Sequence, residues 1–192
     1  MLIVNERSCV AALRRAADPL LGQQGKEGDF HGSSSSEQAQ FGQEGEAVQK
    51  AETPLSGKTI IYPTEEDIRA IADDPNVNQG EATQYIQGGR EKVEAAIGRI
   101  KGQYYGVELF PTLFDKAAAL LHSIATTHPL ENANKRVATE AAMRFLGDNG
   151  LFLDDDFDED EVIEVVLGIV TGSISQDQLR DWLKGKFFDA EN

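Results

Sequence analysis

Residues 111–150 read PTLFDKAAALLHSIATTHPLENANKRVATEAAMRFLGDNG, and this stretch decides the fold. Leu113, Phe114, Ala117, Leu120, Leu121 and Ile124 recur at helical spacing behind Pro111, which a first helical turn tolerates. Val137, Ala141, Phe145 and Leu146 repeat the pattern over about 133–146, with Gly147 placed to terminate the helix and Asp148-Asn149-Gly150 to turn the chain. Two apolar-faced helices in succession, joined by a short polar loop, point to an all-α domain.

Working outward, Ile60-Ile61-Tyr62-Pro63 reads as a short extended run near the start of the folded unit. Thr64 with Asp67 three residues on predicts a capping box, followed by a helix bearing Ile68, Ile71 and Ala72. Val93, Ala96, Ile97 and Ile100 mark a helix over about 90–101. Residues 161–171 are apolar nearly all round, as a central buried helix would be. Ser175 caps a last helix carrying Leu179, Trp182 and Leu183. The expectation is an all-α bundle of about six helices with little sheet, spanning residues 59–192.

Residues 1–58 differ in kind. From Gly22 to Lys58, Gly, Gln, Ser and Glu supply 23 of 37 residues, too little apolar surface to offset the entropy of ordering. They are expected to form a flexible N-terminal extension, with at most a short amphipathic helix before residue 22. Arg14 and Arg15 interrupt the apolar stretch that a signal peptide needs, no run is long enough to span a bilayer, and one cysteine excludes an internal disulfide. A cytoplasmic protein is the natural expectation.

The formal charge is −15, from 33 acidic and 18 basic side chains. Only six basic and eight acidic groups fall in residues 1–58, so the folded segment holds −13 of the total. Such a surface excludes passive adhesion to nucleic acid or anionic membrane, which both need basic patches. Against that field Lys135-Arg136 is the one notable basic cluster, and an anionic ligand explains it most simply.

The cluster ends the loop His128-Pro129-Leu130-Glu131-Asn132-Ala133-Asn134-Lys135-Arg136. With Asn132 as N-cap, Ala133, Asn134 and Lys135 would occupy the first helical turn. Their N–H groups lack intrahelical partners, and the helix dipole favours an anion there. Arg136 can grip phosphate oxygens bidentately. His128, at the exit of the preceding helix, supplies an imidazole able to take a proton from a hydroxyl. A base, a phosphate cradle and paired cations suit nucleotide-dependent group transfer.

HPLENANKR resembles the Fic/Doc (Fido) signature, His-Pro-Phe-x-Asp/Glu-Gly/Ala-Asn-Lys/Gly-Arg. Its Ala-Asn-Lys-Arg ending is similar to the Doc (death-on-curing) branch, whereas typical AMP-transferring Fic enzymes end in Gly-Asn-Gly-Arg. Flanking segments resemble Doc toxins over roughly residues 60–188. The resemblance implies a Fido helical fold, His128 as general base, and Ala133, Asn134, Lys135 and Arg136 around the phosphates of ATP with Mg²⁺. It further implies transfer of the γ-phosphate to a threonine of elongation factor Tu, blocked translation, and silencing by a Phd-like antitoxin. A Fic-type AMP transferase and a catalytically weakened Fido binding module stay open as alternatives.

Two positions depart from the signature. Leu130 stands where Phe is usual, at an apolar packing site. Asn132 replaces the carboxylate expected to reach the metal; its amide oxygen can ligate Mg²⁺ but brings no charge, so affinity should fall. Elsewhere, His122 reads as a core or interface histidine, His31 as solvated and Cys9 as lacking a nucleophile's surroundings. The acidic run from Asp154 to Glu161 lacks the spaced ligands of a calcium loop and reads as a solvated helix start. Ser33-Ser34-Ser35-Ser36-Glu37-Gln38 approaches the self-inhibitory motif of some Fic proteins, but Gln stands at its last position.

Overall fold

The computed structural model describes residues 59–154 and 158–189. The 1–58 extension, with Cys9, His31 and the Ser33–Gln38 stretch, lies outside them, as does part of the acidic run. Among the described residues the elements run α1 (Glu65–Asp73), α2 (Pro75–Asn78), α3 (Gly89–Ile100), β1 (Gln103–Tyr104), β2 (Val107–Glu108), α4 (Leu113–Thr127), α5 (Asn134–Asp148), β3 (Leu151–Leu153), α6 (Glu159–Thr171), α7 (Gln176–Lys186) and β4 (Phe187–Asp189). The all-α expectation holds. The helix beyond the expected six is α2, a single turn started by Pro75 and capped by the Asp74 carboxylate, too short to carry apolar periodicity.

The centre of the bundle is α4, which packs against α3, α5, α6 and α7. Ala117, Ala118, Ala119, Leu120, Leu121, Ile124 and Ala125 are all buried on it, and α5 answers with Val137, Ala138, Ala141, Ala142, Phe145 and Leu146. Alanines on both partners allow a close approach of the two helices, while the Leu, Ile and Phe side chains each contribute about 1.5–3 kcal/mol by burial. This places α4 where the sequence reading put residues 161–171. Leu167 of α6 is 42% exposed, because α6 packs on α4 and α7 at the edge of the bundle.

Capping boxes start three helices as their sequences require: Thr64 with Asp67, Thr112 with Asp115, and Ser175 with Gln178. Pro111 therefore precedes the cap of α4 and does not enter its first turn. Helix α5 also runs past Gly147 to Asp148 and is closed by Asn149. The Asn149 side chain explains this ending. Its Nδ2 donates to Phe145 O (2.7 Å) and Ile61 O (2.9 Å), while its Oδ1 accepts from Ile61 N (2.9 Å). One amide thus caps the helix and holds the extended 60–62 run as a neighbouring strand would.

Two short antiparallel pairs complete the fold. β1 and β2 join through Tyr105-Gly106, both at positive φ, the backbone twist that a two-residue hairpin favours. β3 pairs with β4, returning the described C-terminal residues to the end of α5. Lys116 secures the first hairpin. This lysine is 1% exposed, and its Nζ donates to Glu108 Oε2 (2.8 Å) and Ile100 O (3.2 Å), so the buried cation has a counter-charge and two acceptors.

The start of α3 abuts the α4–α5 loop. A Cβ at Gly89 would lie 2.1 Å from the carbonyl oxygen of Pro129, a contact that no packed structure accepts. Gly89→Ala is therefore expected to lose roughly 1–3 kcal/mol in denaturant unfolding. His122 gives a second test. Burial first, and the Arg99 guanidinium second, hold its pKa below the ordinary 6.5. The unfolded chain then binds a proton that the fold resists, so its contribution is complete above that value and falls as pH drops below it. Stability measured against pH should decline less steeply in His122→Leu than in the unmodified protein between pH 6.5 and the lower folded-state value.

Candidate active site

The loop between α4 and α5 is built from two reversals and a clamp. His128 closes α4 with φ 48° and ψ 66°, and Ala133 precedes α5 with φ 58°. Left-handed backbone at residues other than glycine costs on the order of 1 kcal/mol each and gathers at functional sites. Between them, Asn134 Oδ1 accepts from Leu130 N (2.9 Å) and Asn134 Nδ2 donates to Leu130 O (2.7 Å). Leu130 itself is buried in the core, consistent with an apolar packing position.

This clamp corrects the expected helix start. Asn132 is not the N-cap: the helix begins at Asn134, and Ala133 caps it without any side-chain hydrogen bond. The reason is that the Asn134 amide holds Leu130, which forces the chain through the left-handed region before the helix can begin. Asn134, Lys135 and Arg136 thus form the first turn, and the first backbone bond of the helix is Val137 N to Ala133 O (2.9 Å). The anion-binding character of the terminus survives, moved along by one residue. Asn134 has its backbone N–H to offer a phosphate, while its side-chain oxygen and one Nδ2 hydrogen are committed to Leu130. Ala133 contributes the turn that leaves the terminus open.

Two polar atoms here are buried without a partner: Nη1 of Arg136 and Oδ1 of Asn132. Burial lowers the pKa of Arg136 from the usual guanidinium range, and Glu81 opposes the shift. A buried, unpaired N–H of a cation is costly unless an anion meets it, so Arg136 fits a phosphate. Asn132 Oδ1 fits a cation whose remaining ligands come from phosphate and water, as Mg²⁺ ordinarily has. Among the described residues no group of three or more His, Cys, Asp or Glu could hold a metal by itself. Lys135 is exposed at the mouth of the same turn.

His128 is exposed, and its Nδ1 lies 3.1 Å from Thr126 O. A carbonyl only accepts, so Nδ1 carries the proton and Nε2 presents its lone pair. Nearby carbonyls at the end of α4 are occupied: Thr126 Oγ1 donates to His122 O, Thr127 Oγ1 to Ser123 O, and Lys92 Nζ to Thr127 O. His122, by contrast, belongs to the α4 packing, with Nδ1 buried and unpartnered, and takes no place in the loop.

Sequence reasoning missed the strand-like segment 83–86 that backs the loop. Ile86 N donates to Pro129 O (3.0 Å), Glu131 N donates to Gln84 O (3.0 Å), and Tyr85 bridges Leu130. Only Gly88-Gly89 hinted at it, by marking where a backbone passes close. Behind this segment an open cavity of about 380 Å³ is lined by Glu65, Glu66, Arg69, Tyr85 and Arg90, apart from His128 and Arg136.

Comparison with known proteins fits this geometry. The sequence model of the Fic/DOC family matches residues 62–146, the span from the start of α1's approach to the end of α5. Over 93 residues the chain is 41% identical to Toxin Doc of Mycolicibacterium smegmatis (strain ATCC 700084 / mc(2)155), covering 48% of this chain and 72% of that protein. Over 100 residues it is 34% identical to Protein kinase doc of Escherichia phage P1, covering 52% of this chain and 76% of that protein.

The orphaned Arg136 nitrogen separates binding from stability. Arg136→Met should unfold within about 0.5 kcal/mol of the unmodified protein. The same change should abolish calorimetric binding of inorganic triphosphate. A large stability loss would show that the guanidinium has a structural partner.

Proposed function

The chain belongs to the Fic/DOC family, in its Doc branch, and we propose that it is a toxin kinase that transfers the γ-phosphate of ATP to a hydroxyl of a translation factor. The observation that carries this reading is the pairing of a proton-accepting Nε2 on His128 with the unpartnered Nη1 of Arg136 at an open helix N-terminus. In the proposed step Nε2 takes the hydroxyl proton while the hydroxyl oxygen bonds to the γ-phosphorus. The bond to the bridging oxygen breaks, and ADP leaves with that oxygen and its electron pair. The N–H groups of Asn134, Lys135 and Arg136 and the Arg136 side chain hold the phosphate charge throughout. Magnesium, bound by the phosphates and by Asn132 Oδ1, would supply further neutralisation of that charge.

The acceptor we propose is elongation factor Tu, and the silencing partner a Phd-like antitoxin. The names Toxin Doc and Protein kinase doc support the toxin and kinase parts of the reading. Lys135 favours phosphate transfer over AMP transfer. It adds a charged side chain to the first helical turn where AMP-transferring enzymes of the family have glycine, which changes how a triphosphate can lie. Asn132 favours a slower enzyme than a carboxylate would give, because its oxygen brings no charge to the cation.

Incubation of the purified chain with elongation factor Tu and ATP labelled at the γ-phosphate should label the factor, while ATP labelled at the α-phosphate should not. His128→Ala should slow labelling by about 10²- to 10⁴-fold. Retention of the α-label on the factor would assign AMP transfer instead, and growth arrest by the His128→Ala variant would remove the base from the account.

A further inference from the structure

Thr83 lies 1% exposed in the segment that backs the loop, with its own carbonyl held by Arg69 Nη2 at 2.9 Å. Its hydroxyl meets both backbone groups of one residue across 49 positions of sequence: Asn132 N donates to Thr83 Oγ1 (3.4 Å), and Thr83 Oγ1 donates to Asn132 O (3.3 Å). A hydroxyl can do both at once, accepting on a lone pair and donating its proton. Asn132 is thereby fixed at its backbone on both sides, while its side-chain Oδ1 is left buried and without a partner. A backbone held at N–H and C=O leaves a short side chain little freedom except its own χ angles.

We infer that Thr83 is a positioning residue, whose hydroxyl holds Asn132 so that the amide oxygen stands ready for the cation of a bound nucleotide. The inference rests on the nucleotide reading above and extends it to a residue outside the signature loop. A neutral oxygen contributes little attraction of its own to a hard cation, so its placement counts for more than a carboxylate's would. Arg69 belongs to the same arrangement. It pairs with Asp73 on α1 and covers the Tyr85 ring (5.5 Å to the centroid), anchoring the Thr83 backbone to the bundle.

Calorimetric titration of the full chain with ATP, once with Mg²⁺ and once with EDTA, tests this by binding alone. Thr83→Val keeps the packing volume and removes the hydroxyl; Thr83→Ser keeps the hydroxyl. Affinity for ATP with Mg²⁺ is expected to fall about five- to tenfold in Thr83→Val, to stay at the original value in Thr83→Ser, and to change little in either with EDTA. Asn132→Ala should show the same loss, and Thr83→Val should add nothing to it. Equal losses with and without Mg²⁺, or no loss, would overturn the positioning role. Should Thr83→Val fail to fold, Thr83→Ser decides alone: loss of its Mg²⁺-dependent affinity overturns the inference. An unmodified chain that binds no ATP would instead overturn the nucleotide reading from which the inference starts.

Discussion

One side chain determines where the proposed phosphate cradle lies. The Asn134 amide spans the N–H and C=O of Leu130, closing a tight ring of five residues at the head of α5. Leu130 is locked into the core, so the ring is anchored from below; Ala133 is forced through the left-handed region, so the helix terminus is left uncapped from above. An uncapped terminus is a defect in a structural helix. Here it leaves the N–H groups of Asn134, Lys135 and Arg136 without a side-chain cap, with the positive end of the dipole behind them. The stabilising bond and the proposed binding site are two consequences of the same amide.

The rest of the bundle serves this arrangement. Alanine-lined faces bring α4 and α5 together, so that His128 at the end of one helix and Arg136 at the start of the other share a loop. Segment 83–86 backs the loop through two backbone bonds and the Thr83 hydroxyl, and Gly89 allows the backbone of α3 to meet Pro129. Around it the domain is strongly acidic, which raises the cost of bringing in a polyanion and leaves the local donors to overcome it. The neutral Asn132 adds no acid to the loop at its own position. That lightens the repulsion of the phosphates even as it weakens the hold on a cation.

Much of this was legible in the sequence, for stated reasons. Capping boxes are local chemistry, so Thr64 and Ser175 marked their helices without help from tertiary structure. The periodicity of residues 113–146 identified two successive helices, because both bury one face, while the central place was expected for residues 161–171. The errors came from partners distant in sequence. Asn149, not Gly147, ends α5 because Ile61 waits 88 residues away to be bound by its amide. Asn132 lost the capping role because Asn134 had a better use for its side chain. The burial of α6 was overestimated because apolar composition does not say how many sides a helix packs against. The short 83–86 segment and Thr83 carried no periodic signal of their own, since a strand that pairs only with a loop has none; Gly88-Gly89 was the sole hint.

The central claim is that the first turn of α5 receives nucleotide phosphates. Amide chemical shifts of the full chain, followed by ¹H–¹⁵N correlation spectra during titration with ATP and Mg²⁺, test it most directly. The largest shifts are expected on the backbone amides of Asn134, Lys135 and Arg136, with the His128 ring responding beside them. Shifts confined to the cavity lined by Glu65, Arg69, Tyr85 and Arg90, with the α5 terminus unmoved, would contradict it.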